Sequence, residues 1–219
     1  METRSNYQHA LQELEALLTR MGAEVEEQIN EAVESLSSGD EKRARETVAR
    51  DDRIDELMTR IEERCLRLIA LQQPMARDLR IIGMALKIAI DLERIADYAV
   101  DIAKVTTRLA GETLVKPLVD IPRMALVAKS MLKESLAAFT SRDVNRAAAL
   151  AERDDEVDRL YGDVLQEITG LMGTSAAANR QLIHLMLVAN SLERVADHTT
   201  NIGEGVIYLV TGVRKDLNP

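Results

Sequence analysis

Residues 92–104 read LERIADYAVDIAK, and residues 192–204 read LERVADHTTNIGE. Near identity at this separation in a chain of 219 residues means that one structural unit is built twice. An earlier pair agrees: ARDDRIDELM at 49–58 answers ERDDEVDRLY at 152–161. The offset between copies shortens by a few residues from the earlier pair to the later one. A short deletion in the loop before the last helix absorbs that change.

Within each copy the apolar residues recur in steps of three and four, the period of a helix face. The first helix carries Leu11, Leu14, Leu18, Met21, Val25, Ile29, Val33 and Leu36. Asp40 follows a Ser-Ser-Gly break and is placed to cap a second helix through Ile54, Leu57, Ile61, Cys65 and Leu68. That helix is expected to stop near Gln73-Pro74. Pro74 is expected in the first turn of a third helix running to Gly111. The pattern then restarts through Met124, Met131 and Phe139, turns at Ser141-Arg142-Asp143, and resumes through Val157, Leu160 and Ile168. Ser175 is placed to cap a sixth helix reaching about Thr211. No alternating strand pattern is present. The expectation is an all-α fold, a tandem repeat of two antiparallel three-helix bundles: residues 1–111, a linker at 112–117, and residues 118–219.

Composition narrows the function. A formal charge of −9 repels phosphate backbones, so nucleic acid is not an expected partner. One cysteine, Cys65, cannot form an internal disulfide; it falls on an apolar helix face and reads as core. No run approaches the roughly 20 apolar residues of a membrane span, and the N-terminus lacks a signal-peptide core. The expected location is the cytoplasm. A di-iron enzyme of the ferritin type needs Glu-x-x-His, and none of His9, His184 or His198 has Glu three residues earlier. There is no GxxxxGK[ST] loop and no triad spacing. The chain does not read as an enzyme.

The acids carry the remaining signal. Glu93, Asp97 and Asp101 are spaced i, i+4, i+8 and form one stripe on the third helix. Asp51 and Asp55 stand at the margin of the second helix's apolar face. The second copy offers Asp154, Asp158, Glu193, Asp197 and Asn201. Like charges at i, i+4 cost roughly 0.2–0.5 kcal/mol per pair, so something must offset them. Two readings stand. Arg94 and Arg194 can pair with Asp97 and Asp197 at i+3, on ordinary solvated faces. Alternatively, the carboxylate oxygens hold a hard cation.

In order along the chain, MGAEVEEQ at 21–28, ARDDRID, QPMARDLR at 73–80, ERDDEVD and the two LER[IV]AD stretches resemble the PhoU family of bacterial phosphate-transport and phosphate-signalling regulators. The resemblance spans the chain. It implies paired three-helix bundles whose acidic motifs hold metal clusters in some relatives. Carried over by position, the metal-site residues are Asp51, Asp55, Glu93, Asp97, Asp101, Asp154, Asp158, Glu193, Asp197 and Asn201. Asn201 lacks the charge of Asp101, so the second site is expected to be weaker or to hold fewer ions. The ion is divalent or ferric, with Mg, Mn, Fe and Zn all open. The implied role is negative regulation of the phosphate-starvation response and of high-affinity phosphate uptake. The implied partners are the ATPase subunit of a phosphate ABC transporter, a phosphate sensor histidine kinase and a second copy in a homodimer, with membrane contact only through partners. A metal-independent helical scaffold, or a carboxylate–metal protein unconnected with phosphate, is the alternative.

Overall fold

The chain is seen as a computed structural model that describes residues 2–173 and 175–218, with side chains from Tyr7 onward apart from Arg77. Among the described residues there are eight helices and no strands. The first half comprises α1 (Glu2–Ser38), α2 (Glu41–Ala49), α3 (Asp51–Gln72) and α4 (Arg77–Arg108). The second comprises α5 (Asp120–Ser141), α6 (Val144–Ala148), α7 (Leu150–Leu171) and α8 (Ala176–Thr211). Within each half the three long helices pack on one another. Between halves α4 packs against α8 and α1 against α5, so the apolar residues of both copies join one continuous core.

Eight helices appear where six are expected because the second helix of each copy is broken near its start. The Arg50 amide is shared between the Glu46 and Thr47 carbonyls at 3.2 Å each, and Arg53 N closes a tight turn onto Arg50 O at 3.0 Å. Thr47 Oγ1 also donates back to the Arg43 carbonyl at 2.9 Å, a bond that bends helices. In the second copy the same junction falls at Ala149.

The expected caps form. Asp40 accepts from Arg43 N at 3.0 Å, and Ser175 accepts from Ala178 N at 3.1 Å. Asp143 accepts from Asn145 N and Arg146 N at 2.9 and 3.0 Å. Pro74 does not enter a helix. The reversal between α3 and α4 uses left-handed residues at Gln73 (φ 45°) and Ala76 (φ 40°), which leave Pro74 in the connection. Similarly α4 ends at Arg108, before Gly111, which turns the chain at φ 76°. The residues that follow are pinned to α8: Gln181 Nε2 donates to Glu112 Oε2 at 2.8 Å and its Oε1 accepts from Val115 N at 2.9 Å.

At Gly203 α8 passes the α6–α7 junction. A β-carbon there would stand 2.7 Å from Leu150 Cδ1 and 3.2 Å from the Ala147 carbonyl, so the close approach depends on glycine. Cys65 is buried in the core, and its Sγ donates to Ile82 O at 3.7 Å. Burial pushes its thiol up to about 11.

Two outcomes are expected. Asp143→Ala, which strips two amides of their acceptor, should lower unfolding free energy by about 1–2 kcal/mol in urea titrations with an unchanged m-value. Cys65 should resist alkylation near pH 8 in the folded protein and react once urea unfolds it, followed by mass spectrometry.

Candidate metal centres

In the first copy α3 opens with Asp51, and Asp55 stands one turn on. Across from them α4 presents Glu93 and Asp97. The four carboxylates are close enough to act on one another. Burial pushes the Asp51 carboxyl above its ordinary range; the Gln28 amide pulls it back, and Asp55 and Asp97 push it up again. Burial likewise raises Glu93, with Asp97, Asp55 and Asp51 adding to the rise and Arg94 opposing it. Gln28 is fully buried on α1, and its Nε2 stands 3.4 Å from both Asp51 Oδ1 and the Thr47 carbonyl. Arg94 donates to Asp97 Oδ2 at 3.0 Å and lies 3.5 Å from Glu93.

The second copy gathers Asp154 and Asp158 from α7 with Glu193 and Asp197 from α8. Asp154 is 3% exposed, and its carboxyl is pushed up to about 7, first by burial and then by Asp158, Asp197, Asp155 and Glu193. Burial also raises Asp158 and Glu193, and Asp197 adds to both. Arg194 donates to Asp197 Oδ2 at 2.8 Å. Asp154 Oδ1 and Glu193 Oε2 are buried without a hydrogen-bond partner among the described residues.

Thus the structure brings together Asp51, Asp55, Glu93 and Asp97, and separately Asp154, Asp158, Glu193 and Asp197. It does not draw Asp101 in: Asp101 is exposed and pairs with Lys104 at 3.3 Å. Asn201 is half-buried one turn beyond Asp197. Among the described residues no three Asp, Glu, His or Cys side chains already stand in a metal-holding arrangement. The guanidiniums of Arg94 and Arg194 lie against the clusters instead, as the solvated-face reading anticipates. The donor set nevertheless fits a cation. It is all carboxylate oxygen, the ligand type of hard ions, and in the second cluster two buried oxygens have nothing to accept from.

A family model described as the PhoU domain matches residues 18–106 and again 121–206. The chain belongs to the PhoU family. Among curated relatives, the phosphate-specific transport system accessory protein PhoU homolog of Clostridium acetobutylicum is 42% identical over 217 residues, 99% of each chain. The protein of the same name from Caulobacter vibrioides is 39% identical over 212 residues, 96% of this chain and 92% of that one. The crystal structure of PhoU from Pseudomonas aeruginosa superposes with a TM-score of 0.90 at 35% identity, over 94% of this chain and 100% of the other. The phosphate transport system regulatory protein PhoU from Streptococcus pneumoniae gives 0.88 at 31% identity, over 96% and 99%. Both PhoU-domain matches contain their copy's four gathered carboxylates.

Two features of this PhoU pair escape sequence reasoning. Gln28 looks like one more polar residue on a long helix until α1 is seen to bury it beside Asp51. Asp91, also buried, meets His198 Nδ1 across the contact between the copies at 3.0 Å, with the Tyr98 ring 5.8 Å from the imidazole. The available signal was the repeat itself. Asp91 and His198 sit where the other copy has Ser191 and Tyr98, so the two positions differ between copies that otherwise agree.

The desolvated acids predict a stability effect. Asp154 has a folded-state value of about 7, above its unfolded value of about 3.8. Its ionised form therefore opposes folding: the cost is absent below the unfolded value, grows between the two, and is complete above pH 7. In metal-free protein Asp154→Asn should raise unfolding free energy by about 1–3 kcal/mol at pH 8, with the gain shrinking towards pH 4, measured by urea titration at both pH values.

Proposed function

We propose that this chain is a non-catalytic accessory regulator of a phosphate-specific transport system, located in the cytoplasm. In this reading it restrains high-affinity uptake and keeps the phosphate-starvation response silent when phosphate is plentiful. The observation that carries the reading is the end-to-end match to relatives named phosphate-specific transport accessory proteins, at up to 42% identity. The chain acts as a helical adaptor between the transporter's ATPase subunit and a sensor histidine kinase, and it forms a homodimer. It reaches the membrane through those partners. This accords with the absence, among the described residues, of any helix long and apolar enough to cross a bilayer.

The two carboxylate clusters bind Mg, Mn, Fe or Zn ions in this proposal. Asp51, Asp55, Glu93 and Asp97 hold one, with Asp101 at the margin. Asp154, Asp158, Glu193 and Asp197 hold the other, with Asn201 at the margin. A bound cation supplies positive charge to oxygens that repel one another; the desolvated carboxyls of Asp51, Glu93, Asp154 and Glu193 support this part. The Arg94–Asp97 and Arg194–Asp197 ion pairs favour a second reading, in which the same adaptor works without metal.

Affinity capture of the tagged protein from phosphate-replete cells, with metal analysis of the same eluate, tests both. Co-purification of a transporter ATPase subunit or a sensor kinase is expected, together with bound metal. Capture of partners with no metal moves the conclusion to the second reading. A deletion strain should express phosphate-scavenging genes in rich phosphate medium; unchanged expression, with neither partner captured, overturns the regulatory role.

A further inference from the structure

The two clusters share a residue pattern but not their polar surroundings. The Asp40 and Asp143 caps set the register of α1 against α5, and in that register Gln28 and Met131 occupy one place. Both are fully buried, at 1% and 0% exposure. Gln28 turns an amide donor towards Asp51. A thioether has no donor to offer Asp154. Asp51 is also the first residue of α3, where free backbone amides favour a negative charge, whereas Asp154 is the fifth residue of α7.

The other partners of the two clusters differ as well. Arg94 reaches Glu93 as well as Asp97, and Lys104 holds Asp101. Lys104's counterpart in the second copy is Glu204, whose carboxylate accepts from Leu217 N at 2.9 Å. Arg194 and Asn218 Nδ2 (3.3 Å) both serve Asp197. Asp154 Oδ1 and Glu193 Oε2 are left with no donor.

We propose that the two clusters are unequal cation sites: Asp154, Asp158, Glu193 and Asp197 bind a divalent cation more tightly than Asp51, Asp55, Glu93 and Asp97, and the exchange of Gln28 for Met131 sets the order. This rests on the cation reading above. Affinity is the difference between the occupied and empty states. In the first cluster an ion replaces donors already in place. In the second it relieves buried oxygens that accept no hydrogen bond, so the empty state stands higher. The ordering reverses the expectation drawn from Asn201. The charge missing at 201 lies outside the cluster, since its counterpart Asp101 is exposed and neutralised by Lys104.

Metal-stripped full-length protein titrated with Mn²⁺ near pH 8, followed by calorimetry and by the EPR signal of free Mn²⁺, tests the order. Two classes of site separated by roughly tenfold or more are expected, the worth of one hydrogen bond to a charged group. Asp154→Asn should abolish the tight class and Asp51→Asn the weak one. Met131→Gln, which supplies the missing amide, should weaken the tight class roughly tenfold, and Gln28→Met should strengthen the weak class by a similar factor. If Met131→Gln fails to fold, the two Asp→Asn variants still decide the order. Equal affinities, or loss of the tight class in Asp51→Asn, overturn the proposal while leaving both clusters as metal sites. No uptake by the wild type, or uptake that survives both Asp→Asn changes, overturns the cation reading and the proposal with it.

Discussion

The packing of α4 against α8 is the contact on which the rest of the structure depends. Asp91 on α4 meets His198 on α8 at 3.0 Å, and at Gly205 a β-carbon would run into the Met84 side chain, so the absence of a side chain there lets α8 lie close to α4. Leu92 and Ile95 on α4 and Leu192 and Val195 on α8 are fully buried, each removed from water for a gain of about 1.5–3 kcal/mol. Each of these helices is thereby covered twice, by its own bundle and by the other copy. Only a narrow strip of each is left to solvent. The arginines and acids of the LER[IV]AD stretches lie in that strip or at its edge, because nowhere else on the helix can a charge remain hydrated.

That placement explains why the acids are neither ordinary surface charges nor core residues. Glu93, Asp97, Glu193 and Asp197 are half-buried between the strip and the neighbouring α3 or α7, which bring two more carboxylates each. For Glu93 and Glu193 burial and mutual repulsion then act in the same direction and favour the protonated form. Arg94 and Arg194 offset part of this at one oxygen of Asp97 and Asp197. What is left uncompensated is concentrated on Asp154 and Glu193.

The repeat made most of the fold legible. Helix faces, the capping roles of Asp40 and Ser175, the turn at Asp143 and the pairing of acids one turn apart on α3 and on α4 all follow from local spacing, since a helix places i, i+4 residues on one side whatever surrounds it. The breaks at Arg50 and Ala149 were not legible. No proline or glycine marks them; they arise where a short capped segment meets a longer helix that must lean on α4 or α8. Pro74 misled because a proline fits a first helical turn in general, while here a tight reversal with two left-handed residues claims the position.

For this protein the sequence by itself determined the number of copies, the helical period and the acids that stand one turn apart on a single helix, because all three are properties of residues close together in the chain. Which carboxylates are desolvated and which are served by a donor was decided only in three dimensions. Gln28 is distant in sequence from Asp51, which it serves. His198 meets Asp91 across more than a hundred residues. Desolvation and hydrogen bonding depend on what is packed within a few ångströms, and the chain order does not carry that information.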